Sequence, residues 1–390
     1  MTLLSKRMCP VCLSKETNHL YKQDFNSCDL SLMKGYEVVS CSSCGMCYAD
    51  SVPSQAEFNE YYSQMSKYES SSEKSIHSQG VVEHFEKIFQ VASRYLKSTD
   101  ARILDIGCST GGLLSVFKKN NYHHLFGIDP SAACVAAARD WHGIIGSADT
   151  IHSFHSKDTY DLVVMTAVLE HLVDFDESLM KIRSLIVANG LFVVEVPDAS
   201  RFTDFVSAPF QQFSVEHINY FTEQSLINLV SRFGFELVAA TSGEVAINSS
   251  VEPDLLFVFR KTDIKAHIYK KDIIGHLKIQ EYITRSLKVE MDVKHKIQLA
   301  LNEYDKVIVW GTGTHTLRLL GTVLSLSKID CFVDSNLRYV GRDLHGIKII
   351  GPGSINNELP IIISSYGYQD EIEKIIVEKL KLKNKIVKLY

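Results

Sequence analysis

Short apolar runs recur through the middle of the chain, and stretches with the spacing of amphipathic helices separate them. The runs that we expect to form strands are Ile103–Asp105, Leu125–Asp129, Asp161–Met165, Gly190–Glu195, Glu236–Ala240 and Leu255–Arg260. Strands that alternate with helices predict an α/β fold with a doubly wound, largely parallel sheet. We expect the last of these strands to form an antiparallel edge. Ligands of such sheets bind beyond the carboxyl ends of the strands.

The same pattern returns near the C-terminus, after a polar, helix-rich linker (262–303). Its parts are the strand and glycine turn of Val307-Ile-Val-Trp-Gly-Thr-Gly-Thr, a helix at Leu317–Leu326, and a strand at Cys331–Val333 followed by Asp334. These parts predict a second, Rossmann-like α/β unit. Thr316 stands where a dinucleotide-binding turn has its third glycine, so the sequence disfavours NAD. Two roles stay open: the amides of Gly311–Thr314 hold a phosphate or sugar, or the unit is a scaffold.

Composition excludes several classes of protein. The chain has 390 residues, 45% hydrophobic and 22% charged, which is typical of a globular protein with two or three domains. A formal charge of −5 gives no reason to expect nucleic acid as a partner. There is no apolar window of about 18 residues, so we expect no membrane span. The first ten residues do not have the pattern of a signal peptide, and we expect a cytoplasmic protein.

Six of the nine cysteines lie before residue 48. Two Cys-x-x-Cys pairs are separated by 28 residues, and their members are Cys9, Cys12, Cys41 and Cys44. Two such pairs supply the four thiolates of a tetrahedral structural zinc site, with no position left for a catalytic water. Reduced cysteines or a redox pair are the alternative. Cys47 could replace Cys44 as the fourth ligand.

These patterns divide the chain into four parts. We expect a zinc-binding subdomain (1–52), a helical connector (53–98), a doubly wound core (99–261) and a C-terminal α/β domain (262–390).

The first strand of the core runs into a glycine-bearing turn, Asp105-Ile-Gly-Cys-Ser-Thr-Gly111, and a helix follows at Gly112–Asn120. Glycines there let bare backbone approach a ligand. Asp129 ends the next strand, where an acid can accept hydrogen bonds from both ribose hydroxyls of an adenosine ligand. The turn does not read Gly-x-Gly-x-x-Gly, and Asp105 precedes its first glycine. Both features favour S-adenosylmethionine over a dinucleotide, since a pyrophosphate needs a bare helix N-terminus.

The turn resembles motif I of class I methyltransferases, Asp-x-Gly-x-Gly-x-Gly, with Ser109 in place of the middle glycine. The resemblance implies a Rossmann-like methyltransferase core. The cofactor-binding residues that we expect are Asp105, Gly107, Ser109, Gly111, Asp129 and Asp149. Asp149 follows a short apolar run and can bind the adenine amino group, although a solvated loop aspartate is the alternative.

A second group of residues can do chemistry. Glu216 and His217 lie on the approach to a helix that Thr222 caps, on the ligand side of the sheet. Methyl transfer to oxygen or carbon needs a nucleophile without its proton, and imidazole is the suitable base near neutral pH. A structural role for His217 is the alternative.

Aromatic residues and a second histidine lie near these elements in the sequence. Tyr61, Tyr62 and Tyr68 either pack a helix on its neighbour or line the substrate pocket. The segment Thr166–Leu172 resembles the methyltransferase pattern that ends in Leu-Glu-His-Leu, and we expect His171 to support this loop.

Together, the cysteine pairs, the turn and Glu-His-x-x-Tyr-Phe resemble the sugar C-methyltransferases that act on nucleotide-linked keto-deoxysugars. The resemblance implies that His217 removes the proton beside the ketone, that Glu216 lies alongside, and that Tyr220 lines the pocket. Ser214-Val215 departs from the Tyr-His that begins the family's motif, which leaves the substrate and the ketone chemistry open.

The function that we expect is transfer of a methyl group from S-adenosylmethionine to carbon of a nucleotide-linked keto-sugar or a related metabolite. O-methylation of a sugar or small-molecule hydroxyl is the first alternative, and a non-catalytic cofactor-binding scaffold is the second. We expect a small-molecule substrate and neither nucleic acid nor membrane as a partner. The sequence does not predict an oligomeric state.

Overall fold

The computed structural model describes residues 2–25, 32–64, 79–247, 250–265, 268–337 and 339–390. The strands are β1 (Thr2–Leu4), β2 (Glu16–Asp24), β3 (Gly35–Cys41), β4 (Cys47–Asp50), β5 (Ile103–Ile106), β6 (Leu125–Ile128), β7 (Ile145–Ser147), β8 (Tyr160–Thr166), β9 (Ile186–Pro197), β10 (Asn219–Tyr220), β11 (Phe235–Ile247), β12 (Ser250–Lys261), β13 (Val307–Trp310), β14 (Ile329–Val333), β15 (Asp343–Leu344), β16 (Ile347–Ile350), β17 (Ile361–Ile363) and β18 (Ile386–Lys388). The helices are α1 (Gln55–Gln64), α2 (Gln79–Ser93), α3 (Gly112–Lys119), α4 (Ala132–His142), α5 (Phe175–Leu185), α6 (Glu223–Ser231), α7 (Gly275–Glu303), α8 (Thr314–Thr322) and α9 (Gln369–Lys374).

The central sheet has seven strands in the order β11-β12-β9-β8-β5-β6-β7. Strands β5 to β9 are parallel, and β12 is antiparallel to both of its neighbours. The expectation of an α/β core is therefore confirmed. The expected position of the last strand is wrong, because β12 lies inside the sheet and β11 forms the edge. Leu255–Phe259 is buried without alternation, as strands covered on both faces are, and this run indicated an interior strand.

The N-terminal sheet has the order β1-β2-β3-β4-β10. Its last strand, β10, comes from the core and pairs antiparallel with β4, with Tyr220 opposite Cys47. The loop before β10 contains Glu216 and His217, so this pairing fixes the loop against the N-terminal sheet.

The C-terminal sheet has the order β15-β16-β14-β13-β17-β18, with parallel pairing from β16 to β18. Arg318 of α8 is buried and donates hydrogen bonds to Gln23, Tyr21 and Glu290 at 2.8–2.9 Å. This one side chain therefore joins the C-terminal sheet, the N-terminal sheet and the 29-residue helix α7. Among the described helices, none combines the length and apolarity that a membrane crossing needs.

Candidate active site

The glycine turn between β5 and α3 is built for close approach. Gly107 has φ of 80°, and a Cβ on it would lie 2.4 Å from Cγ2 of Val168. Gly111 also has φ of 80°, and its Cβ would lie 2.9 Å from Cβ of Ala138. Both positions thus exclude larger residues by conformation and by space. Ser109 also has a positive φ, of 48°.

The two strand acids meet at this turn. Asp129 accepts hydrogen bonds from the amides of Ser109 and Ser131, both at 2.9 Å. Asp105 is 2% exposed, and its Oδ1 has no hydrogen-bond partner in the described chain. Burial, together with the nearby charge of Asp129, raises the pKa of Asp105 to about 7. Asp149 is half-buried and accepts a hydrogen bond from Oγ of Ser153 at 2.9 Å.

Further polar atoms without partners lie along the same side of the sheet. They belong to α2, β5, the glycine turn, the end of β7 and the turn after β8. They are His84 Nδ1, Asp105 Oδ1, Ser109 Oγ, Ser147 Oγ and Glu170 Oε2. A buried polar atom without a partner costs roughly 1–3 kcal/mol. Four of the five, all but that of His84, lie at or just after the carboxyl ends of β5, β7 and β8, where a polar ligand of such a sheet would bind.

His217 lies beside a second group of polar side chains. Ligand atoms of Glu170, His171 and His217 all lie within 4.8 Å of one another. The two imidazole rings are 5.0 Å apart, centre to centre, and nearly perpendicular. Glu170 is 1% exposed, and burial raises the pKa of its carboxyl well above the usual value.

Tyrosines and the backbone hold this group in place. The hydroxyl of Tyr62 lies 3.0 Å from Nδ1 of His171, which is also 2.9 Å from the carbonyl oxygen of Glu216. A carbonyl oxygen only accepts, so Nδ1 carries the proton when His171 makes that bond. The hydroxyl of Tyr61 donates to Oε1 of Glu216 at 3.1 Å.

Ser214 shapes the segment that presents His217. Its hydroxyl oxygen accepts hydrogen bonds from the amides of Glu216 (3.2 Å) and His217 (3.0 Å). The amide of Ile218 donates to the carbonyl oxygen of Glu170 at 3.1 Å. The sequence pattern predicts no role for Ser214 or Glu170. A serine hydroxyl often binds backbone amides two or three residues further along the chain, so the role of Ser214 could have been predicted from this local turn signal.

Two further residues of the expected substrate pocket are Tyr220 and Tyr68. Tyr220 is buried beside Phe213, and its hydroxyl donates to Tyr36 at 3.2 Å. It packs the interface between core and N-terminal sheet, because β10 pairs with β4 there. Tyr68 lies outside the described residues. Thr222 caps α6, as expected, with its hydroxyl accepting from the amide of Ser225.

Four cysteine sulfurs converge at the start of the chain. The Sγ atoms of Cys9 and Cys44 are 3.4 Å apart, as are those of Cys12 and Cys41, and all four lie within 4.8 Å of one another. Zinc–sulfur bonds of 2.3 Å in a tetrahedron put sulfurs about 3.8 Å apart. The donor set and its spacing therefore fit zinc. Cys47 is buried outside this group, with its Sγ 3.7 Å from the carbonyl oxygen of Gly45.

Known families match two parts of the chain. Residues 81–240 match a family described as a methyltransferase domain, and residues 303–387 match one described as C2185-like, N-terminal. A ubiquinone biosynthesis O-methyltransferase of Rhodopseudomonas palustris (strain HaA2) is 33% identical over 98 residues. One of Bradyrhizobium diazoefficiens is 31% identical over 98 residues. Each match covers 24% of this chain and 38% of the relative, so the chain spans well under half the length of these relatives.

Solved methyltransferase structures resemble the chain over about half its length. The 1,6-didemethyltoxoflavin-N1-methyltransferase of Burkholderia thailandensis is 16% identical, with a TM-score of 0.40 over 57% of this chain and 97% of that one. The N-methyltransferase NodS of Bradyrhizobium japonicum is 16% identical, with a TM-score of 0.39 over 54% and 100%.

The matched domain and the fold agree. Residues 81–240 form an S-adenosylmethionine-dependent methyltransferase domain with the class I α/β fold.

Proposed function

We propose that the chain transfers the methyl group of S-adenosylmethionine to carbon of a nucleotide-linked keto-sugar, with His217 as the general base. The observation that carries the proposal is the position of His217 against His171 and Glu170, at the edge of the sheet where the unpartnered polar atoms lie. A C–H bond next to a ketone is acidic enough for a nearby imidazole to remove its proton. The resulting carbon nucleophile attacks the methyl group.

In this proposal the glycine turn holds the cofactor, which supplies the methyl group when bound. Asp129 binds the ribose hydroxyls, Asp105 takes the ammonium of the methionine portion, and Gly107 abuts that portion. Ser109 and Gly111 complete the turn, and Asp149 binds the adenine amino group. The raised pKa and unpartnered oxygen of Asp105 support its role, because a cation beside it would relieve both.

The substrate, in this proposal, lies between the core and the C-terminal domain (262–390), which acts as a Rossmann-like substrate holder. Burial and the nearby Glu216 raise the pKa of Tyr61, and Tyr339, which follows β14, adds a smaller contribution in the same direction. The C-terminal domain therefore lies near Tyr61, the tyrosine that donates to Glu216. Tyr61, Tyr62 and Tyr68 would contact the sugar in a cytoplasmic pathway of carbohydrate biosynthesis.

O-methylation is the second candidate, since the curated relatives over part of the core are O-methyltransferases by name. His217 would then take a hydroxyl proton. Incubation of nucleotide-linked keto-sugars in deuterated water without S-adenosylmethionine separates the two reactions. Deuterium should enter the carbon beside the ketone only if the enzyme removes a C–H proton.

The base is tested by His217→Asn, which keeps the shape of the side chain and removes its basicity. Turnover should fall by roughly 10²–10⁴, with unchanged affinity for S-adenosylhomocysteine. His124→Asn, at an exposed histidine, is the matched control and should keep normal turnover. Near-normal turnover in His217→Asn would show that another residue is the general base, and His171 would be the next candidate.

We propose in addition that Cys9, Cys12, Cys41 and Cys44 bind one structural zinc ion. Metal analysis should find one zinc per chain, lost in Cys44→Ser and kept in Cys47→Ser. Removing the zinc should unfold residues 1–52 before the core, since binding free energy of such a site is folding free energy. A metal-free chain after gentle purification, or a disulfide between the pairs, would contradict this proposal.

A further inference from the structure

The long helix α7 carries an exposed apolar stripe. Its buried face packs on the rest of the chain through Ile279, Ile283, Val293 and Ile297. On the opposite face, Leu277, Leu287, Met291 and Leu299 are 45–62% exposed, and Ile273 precedes them just before the helix. With 3.6 residues per turn, these side chains fall on one side of the helix over about 33 Å. An amphipathic helix normally places charged residues on such a face.

Four charged residues lie along one side of this stripe, and they are Glu281, Arg285, Asp292 and Lys296. Their signs run minus, plus, minus, plus, so the series is complementary to itself when it is reversed. If two copies of the helix lie antiparallel, with a two-fold axis between residues 288 and 289, Glu281 meets Lys296 and Arg285 meets Asp292. The axis repeats both pairs, so it produces four attractive contacts between opposite charges. In an antiparallel pair the two-fold axis places this side of one helix against the same side of the other. The four charged residues of the two copies can therefore pair.

The same axis brings the apolar residues together. Leu287 and Met291 lie on either side of it and meet their counterparts, and Leu277 meets Leu299 of the other copy. The repeat Leu277, Thr284, Met291 drifts slowly round the helix, which suits a shallow left-handed crossing. Lys288 lies beside the axis, one turn before Asp292 of its own helix.

We infer that α7 is a homodimer interface, with a second copy of this chain as its partner. Stable interfaces bury about 1,200–2,000 Å² in total, and a single helix pair is at the low end of that range. The dimer should therefore exchange with monomer as concentration changes. Ile273 and Ile274, exposed at the start of the helix, extend the contact at each end.

Arg285 and Asp292 give the sharpest test, because neither has an ion-pair partner within the described parts of the chain, whereas Glu281 already pairs with Lys278 at 2.8 Å. In sedimentation experiments, Arg285→Asp and Asp292→Arg should each raise the dimer dissociation constant by about tenfold, since each reverses two symmetry-related pairs. The double variant should return it to within about twofold of the unmodified chain. Lys97→Glu, a charge reversal at an exposed lysine between α2 and β5, should change nothing.

Cysteine pairs test the register. Lys288→Cys should form a disulfide between two copies under oxidation, and Leu277→Cys alone should not. Leu277→Cys and Leu299→Cys in one chain should crosslink. A chain that stays monomeric at its highest soluble concentration, a dimer that survives Leu287→Asp with Met291→Asp, or a Leu277→Cys disulfide that reveals parallel helices would each overturn the inference.

Discussion

Two strand–turn–helix units of this chain, β5 with α3 and β13 with α8, form the same hydrogen bonds around a glycine turn. They differ in the side chains that lie beside that turn. In the core, the amide of Gly107 donates to the carbonyl oxygen of Ile128 at 2.8 Å, and Asp129 accepts the amide of Ser109. In the C-terminal unit, the amide of Gly311 donates to the carbonyl oxygen of Val333 at 2.8 Å. There, Asp334 accepts the amides of Thr312 at 3.0 Å and Asn336 at 2.8 Å. A glycine turn with an acid at the next strand tip therefore builds the turn itself, whether or not a ligand binds.

The difference lies two residues before the glycine. Asp105 occupies that position in the core, and Val309 occupies it in the C-terminal unit, both of them buried. The hydroxyls of Thr312 and Thr316 bind Asp334 and the carbonyl oxygen of Gly311 within the C-terminal unit. A buried carboxyl with an unpartnered oxygen thus distinguishes the unit that we expect to bind S-adenosylmethionine.

The largest effect should come from exchanging a glycine for alanine in each turn. In Gly107→Ala the added Cβ would collide with Val168, at a residue whose φ is positive, so the turn must move. The affinity for S-adenosylhomocysteine, measured by calorimetry, should therefore fall by roughly a hundredfold or more. Gly311, the counterpart of Gly107, has φ of 107°, and the added Cβ would lie 3.1 Å from Oγ of Ser364. Gly311→Ala should keep full affinity, although the positive φ should lower the unfolding free energy by about 1–3 kcal/mol. Equal losses in the two variants would remove the distinction between the turns.

Asp105 should make cofactor binding depend on pH. Its pKa near 7 means that it is mostly protonated at pH 6 and mostly ionised at pH 8, and the cofactor ammonium favours the ionised form. S-adenosylhomocysteine should bind about tenfold more tightly at pH 8 than at pH 6. Asp105→Asn should bind about 10²-fold more weakly at pH 8 and lose this dependence. If Asp105→Asn bound S-adenosylhomocysteine with the same pH dependence as the unmodified chain, a group other than Asp105 would be responsible for that dependence.

The sequence predicted the structural features of these units that depend on a local pattern of residues. Continuous apolar runs located β5, β6, β8 and β9 because strands buried on both faces need them. The two-residue strand Asn219–Tyr220 has no such pattern, so its pairing with the N-terminal sheet was missed. Glu170 is one of 46 acidic residues, and only tertiary packing buries it beside two histidines. The sequence does separate the two turns, since Asp105 and Val309 stand at the same place before their glycines, but it does not show that Asp105 is buried with an unpartnered oxygen.

The matched substitutions Asp129→Ala and Asp334→Ala test most directly the claim that the core unit, and not the C-terminal unit, holds the cofactor. Calorimetry with S-adenosylhomocysteine should show a 10- to 100-fold loss of affinity for Asp129→Ala, because the ribose hydroxyls lose charge-assisted bonds worth roughly 1.5–3 kcal/mol. Asp334→Ala should bind as the unmodified chain does. Unchanged affinity in Asp129→Ala, or a comparable loss in Asp334→Ala, would contradict the account.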